Sequence, residues 1–124
     1  MTRFVPAIVW VFAGFLVYLG LGGLVFGQAA LDLFGHPAAA LPQAFAGRYL
    51  VMAAIVIAFV ALGDWRAIGV VMAAGAALGL ADLAIVGAAT GFTPTHVSIH
   101  AVAALGAAAL ALAAFARRRA PGAA

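Results

Sequence analysis

An all-α integral membrane protein is the fold class predicted here, and three observations predict it. The first is composition. Of 124 residues, 69% are hydrophobic and 7% charged, with a mean hydropathy of +1.26. A soluble domain is near half apolar and a quarter charged, and a short chain exposes a large share of its surface. So few charges exclude an ordinary soluble enzyme, and so much apolar content excludes a disordered or collagen-like chain. The second observation is length: the apolar residues fall in four runs, each near the ~20 residues a helix needs to cross the hydrocarbon. The third is where the scarce charges lie, because most of them flank the runs.

The first run covers residues 5–26, broken only by small residues and Tyr18. With Arg3 before it, it resembles a signal peptide, but it is longer than a usual signal core and is expected to stay as a helix. The second run covers residues 43–62 and contains Arg48. The third covers residues 67–89 and contains Asp82; the fourth covers residues 96–116 and contains His100. Together they use nearly the whole chain, which leaves room for one membrane domain over residues 1–124.

The connections carry their own signals. Gly63-Asp64-Trp65-Arg66 is a tight polar turn with an interfacial Trp, so the second and third spans are expected to be antiparallel neighbours. Gly91 suits a helix C-terminus, and Thr93 before Pro94 suits an N-cap followed by the first helical position. The longer connection, residues 27–42, holds a segment at 28–34 expected to form a short interfacial helix, stopped by Gly35-His36-Pro37.

Orientation follows from the arginines. Arg3, Arg66, Arg117, Arg118 and Arg119 fall on one side of a four-span arrangement, opposed there only by Asp64. The positive-inside rule puts that side, and both termini, in the cytoplasm. A basic tail beside a spanning helix sets topology, so no nucleic-acid partner is expected despite the net charge of +3.

Helix rise then gives heights. At about 1.5 Å per residue, Arg48, Asp82, His100 and Tyr18 lie roughly 21, 22, 24 and 20 Å above the cytoplasmic ends of their spans. Four polar side chains, one per span, thus share one level. An ionisable group inside a span costs on the order of 3 kcal/mol, so it faces the bundle interior and finds a partner. Arg48 and Asp82 are the expected pair, with His100 and Tyr18 beside them. The bland alternatives are that Arg48 snorkels to the interface, or that the pair only fixes helix register.

The faces agree with that cluster. Gly75, Gly79 and Asp82 share one side of the third span. Gly14, Tyr18 and Gly22 line up on the first. On the fourth, His96, His100, Ala103, Ala104, Ala107, Ala111 and Ala114 form one arc. Small residues let helix backbones approach, so these are expected to be packing faces, within the monomer or in a homo-oligomer. His96 and His100, four apart, are too few to make a metal site without Cys or Glu, and the chain has neither. A haem would need a second axial ligand, and only His36 in a loop remains. No metal and no cofactor is expected.

In order along residues 47–117, the chain reads Gly47-Arg48 opening the second span, a Gly-Asp-x-Arg turn at residues 63–66, Asp82 late in the third span, His100 early in the fourth, and a basic tail. Upstream stands Leu33-Phe34-Gly35-His36-Pro37. This resembles a family of small four-helix bacterial membrane proteins of unknown function, akin to the DoxX-like group. The resemblance implies a multi-pass bundle in the inner membrane. Some DoxX-like relatives are accessory subunits of quinone-linked oxidoreductases. Small multidrug transporters rely on an acidic residue in the first span, and dual-topology fluoride channels on a buried Asn; this chain has neither.

Two function classes remain. One is an accessory or structural membrane component, with the Arg/Asp/His cluster holding the bundle and the glycine faces docking a protein partner. The other is a membrane-embedded binding or catalytic bundle, whose cluster recognises the polar head of an apolar small molecule such as a quinone or lipid. The residues lean away from an enzyme without deciding it.

Overall fold

The computed structural model describes residues 4–33 and 42–118 of the chain. All five elements are helical: α1 (Phe4–Phe26), α2 (Gln28–Leu33), α3 (Pro42–Leu62), α4 (Trp65–Thr90) and α5 (Pro94–Arg118). Three of them, α1, α4 and α5, are long and apolar enough to cross a membrane. In α3 the shorter segment Ala46–Leu62 is the apolar part. The short α2 stands where the interfacial helix is expected, and Gln28 Nε2 donates to Asp32 Oδ1 at 2.8 Å one turn along it. The expected stop at Gly35-His36-Pro37 lies outside the described residues.

The helix ends have local causes. After α3, Gly63 takes a left-handed conformation (φ 69°). The Gly63 N–H then donates to Val60 O at 3.1 Å, and the Asp64 N–H to Phe59 O at 3.0 Å. This pair of reversed bonds satisfies carbonyls that a helix C-terminus otherwise strands. Asp64 at once caps α4, its side chain accepting from the Ala67 N–H at 3.0 Å. Two residues thus end one helix and start the next. At the far end of α4, Gly91 is again left-handed (φ 76°), and its N–H donates to Gly87 O at 2.9 Å. Pro94 opens α5 with Thr93 before it, but the Thr93 hydroxyl makes no hydrogen bond among the described residues. The expected capping position is therefore kept without the expected capping contact.

Packing is organised as two close helix pairs. α4 lies against α5, α1 lies against α3, and the contacts between the pairs are sparser. Both pairs are built on small residues. A Cβ on Gly79 would sit 3.1–3.2 Å from the Cβ, Cα and N of Ala104. A Cβ on Gly20 would come within 2.5 Å of the Leu50 side chain, and one on Gly23 within 2.5 Å of Ala46 Cβ. Between apolar helices in lipid there is no hydrophobic drive, so dispersion at this close range is what holds each pair. Consecutive α3 and α4, though joined by the tight turn, are not one of the close pairs.

The first span departs from expectation. Within the chain, Gly14, Tyr18 and Gly22 do not form the packing line: a Cβ on Gly14 or Gly22 would meet nothing within 4 Å, and Tyr18 is 72% exposed. The buried line on α1 is Val9, Ala13, Leu16, Gly20 and Gly23. The physical reason is that α1 is apolar all round, so two small-residue stripes compete and only the fit against α3 selects between them.

All four long helices contribute to one apolar core, which includes Val9, Val56, Ile68, Met72 and Leu110. It fills the half of the molecule nearer the α3–α4 turn. There Arg117 Cζ lies 4.1 Å from the centroid of the Trp65 ring, joining the end of α5 to the start of α4.

The Gly79 contact can be tested. Leu at Gly79 must push against the α5 backbone, and overpacking of this kind costs about 1–3 kcal/mol. Gly79→Leu is expected to lower the thermal midpoint in detergent by several degrees. Gly14→Leu, which enters open space, is expected to leave it within error.

Candidate functional site

Above the apolar core the two helix pairs separate and enclose a cavity of about 190 Å³. Its wall draws on α1, α3, α4 and α5. Met52, Gly75 and Ala107 lie deepest toward the core, and a Cβ on Gly75 would make only ordinary contact, 3.7 Å from Met52 Cε and 3.9 Å from Ala107 Cβ. Small residues at this level leave the space that larger ones would fill.

The polar groups gather on one side of the cavity. Arg48 extends from α3 and donates from Nη2 to Asp82 Oδ2 on α4, at 2.8 Å. The Asp82 side chain is 8% exposed and that of Arg48 25%. The same Nη2 donates to the Tyr49 hydroxyl at 3.1 Å, and Arg48 Cζ lies 5.0 Å from the Tyr49 ring centroid. A planar guanidinium can face a carboxylate and an aromatic ring together, which a lysine ammonium does less well. His100, on α5, is buried at 5% exposure and lines the same cavity. Half-buried His96 lies one turn toward the start of α5.

Three of the four expected polar residues therefore border one space: Arg48, Asp82 and His100. Tyr18 does not. It borders a separate groove between α1 and α2, with Gly22 and Ala30. The phenol beside Arg48 is Tyr49, which height alone could have nominated, since it is one residue from Arg48. Spacing does not suggest the contact, because adjacent residues on a helix point away from each other. The two long side chains nevertheless meet at their tips.

The cavity is not sealed. Phe15 on α1 and Val102 on α5 both line it and are 47% and 70% exposed, so it opens between α1 and α5. That seam is loose because α1 and α5 touch only lightly. In a bilayer it faces lipid. The arrangement suits binding: an apolar chamber with a few convergent polar groups is the usual form of a small-molecule site. A carboxylate, an imidazole and a phenol are also the group types that proton transfer uses.

These features define a small all-α protein with three apolar helices long enough to cross a membrane and a polar-edged cavity among its helices. The chain belongs to the family described as "Domain of unknown function (DUF4267)", which matches residues 13–115. No curated protein and no solved structure matches it. The family match spans every cavity-lining residue named above, and it carries no activity. The DoxX-like likeness is a finer assignment than this match supports.

The ion pair can be measured. Breaking a buried pair by removing one partner costs about 3–5 kcal/mol, since a charge is stranded. Asp82→Asn or Arg48→Leu alone should destabilise the protein strongly in detergent. Arg48→Leu combined with Asp82→Leu should cost far less than the sum. Additive losses in this double-mutant cycle would show that the 2.8 Å contact does not couple the helices.

Proposed function

We propose that this protein is a multi-pass inner-membrane protein that binds an apolar small molecule by its polar head, as a quinone or lipid would be held. In this reading all four long helices span the bilayer as a four-helix bundle. α3 does so although its apolar segment, Ala46–Leu62, is the shortest. The observation that carries the proposal is the cavity itself. Arg48, Asp82 and His100 would be costly at this depth if they served packing alone, and they border open space rather than filling it.

A second reading is favoured by the directness of the Arg48–Asp82 contact. Here the pair only fixes how the helix pairs meet, and the protein is an accessory or structural component docking a membrane partner or a second copy. A DoxX-like affiliation would place that partner beside an oxidoreductase. Chemistry at the site is not required by either reading.

Native mass spectrometry from mild detergent separates the two. A retained small molecule is expected on the wild type and should be lost from Ala103→Phe, which puts a large ring at the cavity mouth. A wild type that carries no added mass, and whose thermal midpoint does not respond to long-chain phenols or alcohols, would favour the accessory reading.

Orientation is part of the same proposal. Arg66 and Arg117 lie at the Trp65 end, the end assigned to the cytoplasm. A periplasmic reporter fused after Ala124 is expected to be inactive, and one fused after Pro42 active. The opposite pattern would invert the protein.

A further inference from the structure

A second space adjoins the cavity. A groove of about 600 Å³ runs between α1 and α5, bordered by Val5, Ile8, Gly106, Ala109 and Ala113. Phe12 and Phe15 border both the groove and the polar cavity, so the two adjoin along one seam. The groove contains no charged side chain.

Resting on the binding reading above, we infer that the ligand is a single-chain amphipath with a neutral, ring-sized head. Its head occupies the cavity and its chain leaves through the α1–α5 seam and lies in the groove. Size sets the head. A cavity of ~150 Å³ admits one benzene-sized ring, so 190 Å³ holds one ring and its oxygen substituents but no whole lipid. Charge sets its chemistry. The Arg48 guanidinium is already matched by Asp82 at 2.8 Å, so a phosphate or carboxylate head would bring its charge against Asp82 in a medium that screens poorly. A hydroxyl or carbonyl oxygen adds a hydrogen bond without that conflict. Geometry sets the chain. From His100 to Ala113 the seam extends about 20 Å along α5, longer than the ~15 Å of one leaflet. The groove lies between two helices and gives one chain a single lane. A chain already in lipid gains little by transfer, so the groove acts by accommodation: it lets the tail leave while the head is seated.

Gly106 gives the test. It borders the groove, and a Cβ there would meet nothing within 4 Å, so a leucine enters the groove without disturbing the fold. The probe is pentadecylphenol carrying a diazirine at the end of its chain, added to the full chain in nanodiscs. Cresol, the same head without the chain, is followed separately by its effect on the thermal midpoint. Photolysis is expected to label residues 5–12 of α1 and 106–113 of α5. Gly106→Leu should cut that labelling roughly tenfold, the scale of an overpacked apolar contact, and leave the cresol effect unchanged. Gly14→Leu, on an open face outside the groove, should change neither. Palmitate should compete poorly with the probe. Labelling spread evenly over lipid-facing Leu105 and Leu112, or left intact by Gly106→Leu while cresol still binds, would overturn the chain route and spare the cavity. Strong competition by palmitate would overturn the neutral head. If neither phenol binds and Ala103→Phe makes no difference, the binding reading falls with it.

Discussion

The rest of this structure depends on the bond between Arg48 and Asp82. Within each helix pair, glycine and alanine bring backbones into contact, and dispersion does the holding. Between the pairs there is no comparable seam. α3 and α4 share a two-residue turn at one end, and the 2.8 Å ion pair ties them again near the other. A turn and a charge contact at opposite ends are enough to keep two helices in register while the space between them stays open. The interaction is strong here for the reason that makes it costly: little water competes for either partner, and neither can be left alone.

That division of labour explains why the molecule is solid in one half and hollow in the other. Near the α3–α4 turn, Ile68, Met72, Val56 and Val9 are fully covered. Toward the ion pair, the α4 and α5 residues lining the cavity include the small Gly75, Gly79, Ala103 and Ala107. The same small residues that draw α4 to α5 withhold side chains from the centre. A close helix pair and a cavity beside it are two results of one choice of residue.

Much of this was legible in the sequence. Spans in a chain with so few charges are bounded by the charges, and the helix ends differ from the reading by only a few residues. Arg48 and Asp82 could be paired because no other opposite charges share their depth. Asp82 and His100 sit on small-residue faces, and both are buried. What could not be read was the rotation of α1. In a soluble helix, polarity marks the outer face; in lipid both faces are apolar, and Gly14-Tyr18-Gly22 looks as good as Leu16-Gly20-Gly23. The choice is made by whether Leu50 and Ala46 fit against the stripe, a matter of shape between residues distant in sequence. Tyr49 was hidden for a related reason: its contact with Arg48 joins neighbours in sequence that helix spacing sets on different faces. The cavity, being an absence of side chains, has no residue to announce it.

The stacking of Arg117 on Trp65 has a consequence for depth. Indole rings settle at the membrane–water boundary and guanidinium groups stay with the headgroups, so in the proposed spanning arrangement this contact moors the end of α5 at a level set by the bilayer. From that mooring a rigid helix of 17 residues, about 25 Å, leads to His100. α5 thus serves as a measuring rod, and the bilayer surface at one end sets how deep the imidazole lies at the other. Asp82 is levelled the same way, because α4 starts at the same indole. With these helices spanning a bilayer as proposed, the polar edge of the cavity is kept at constant depth by an aromatic contact on the far side.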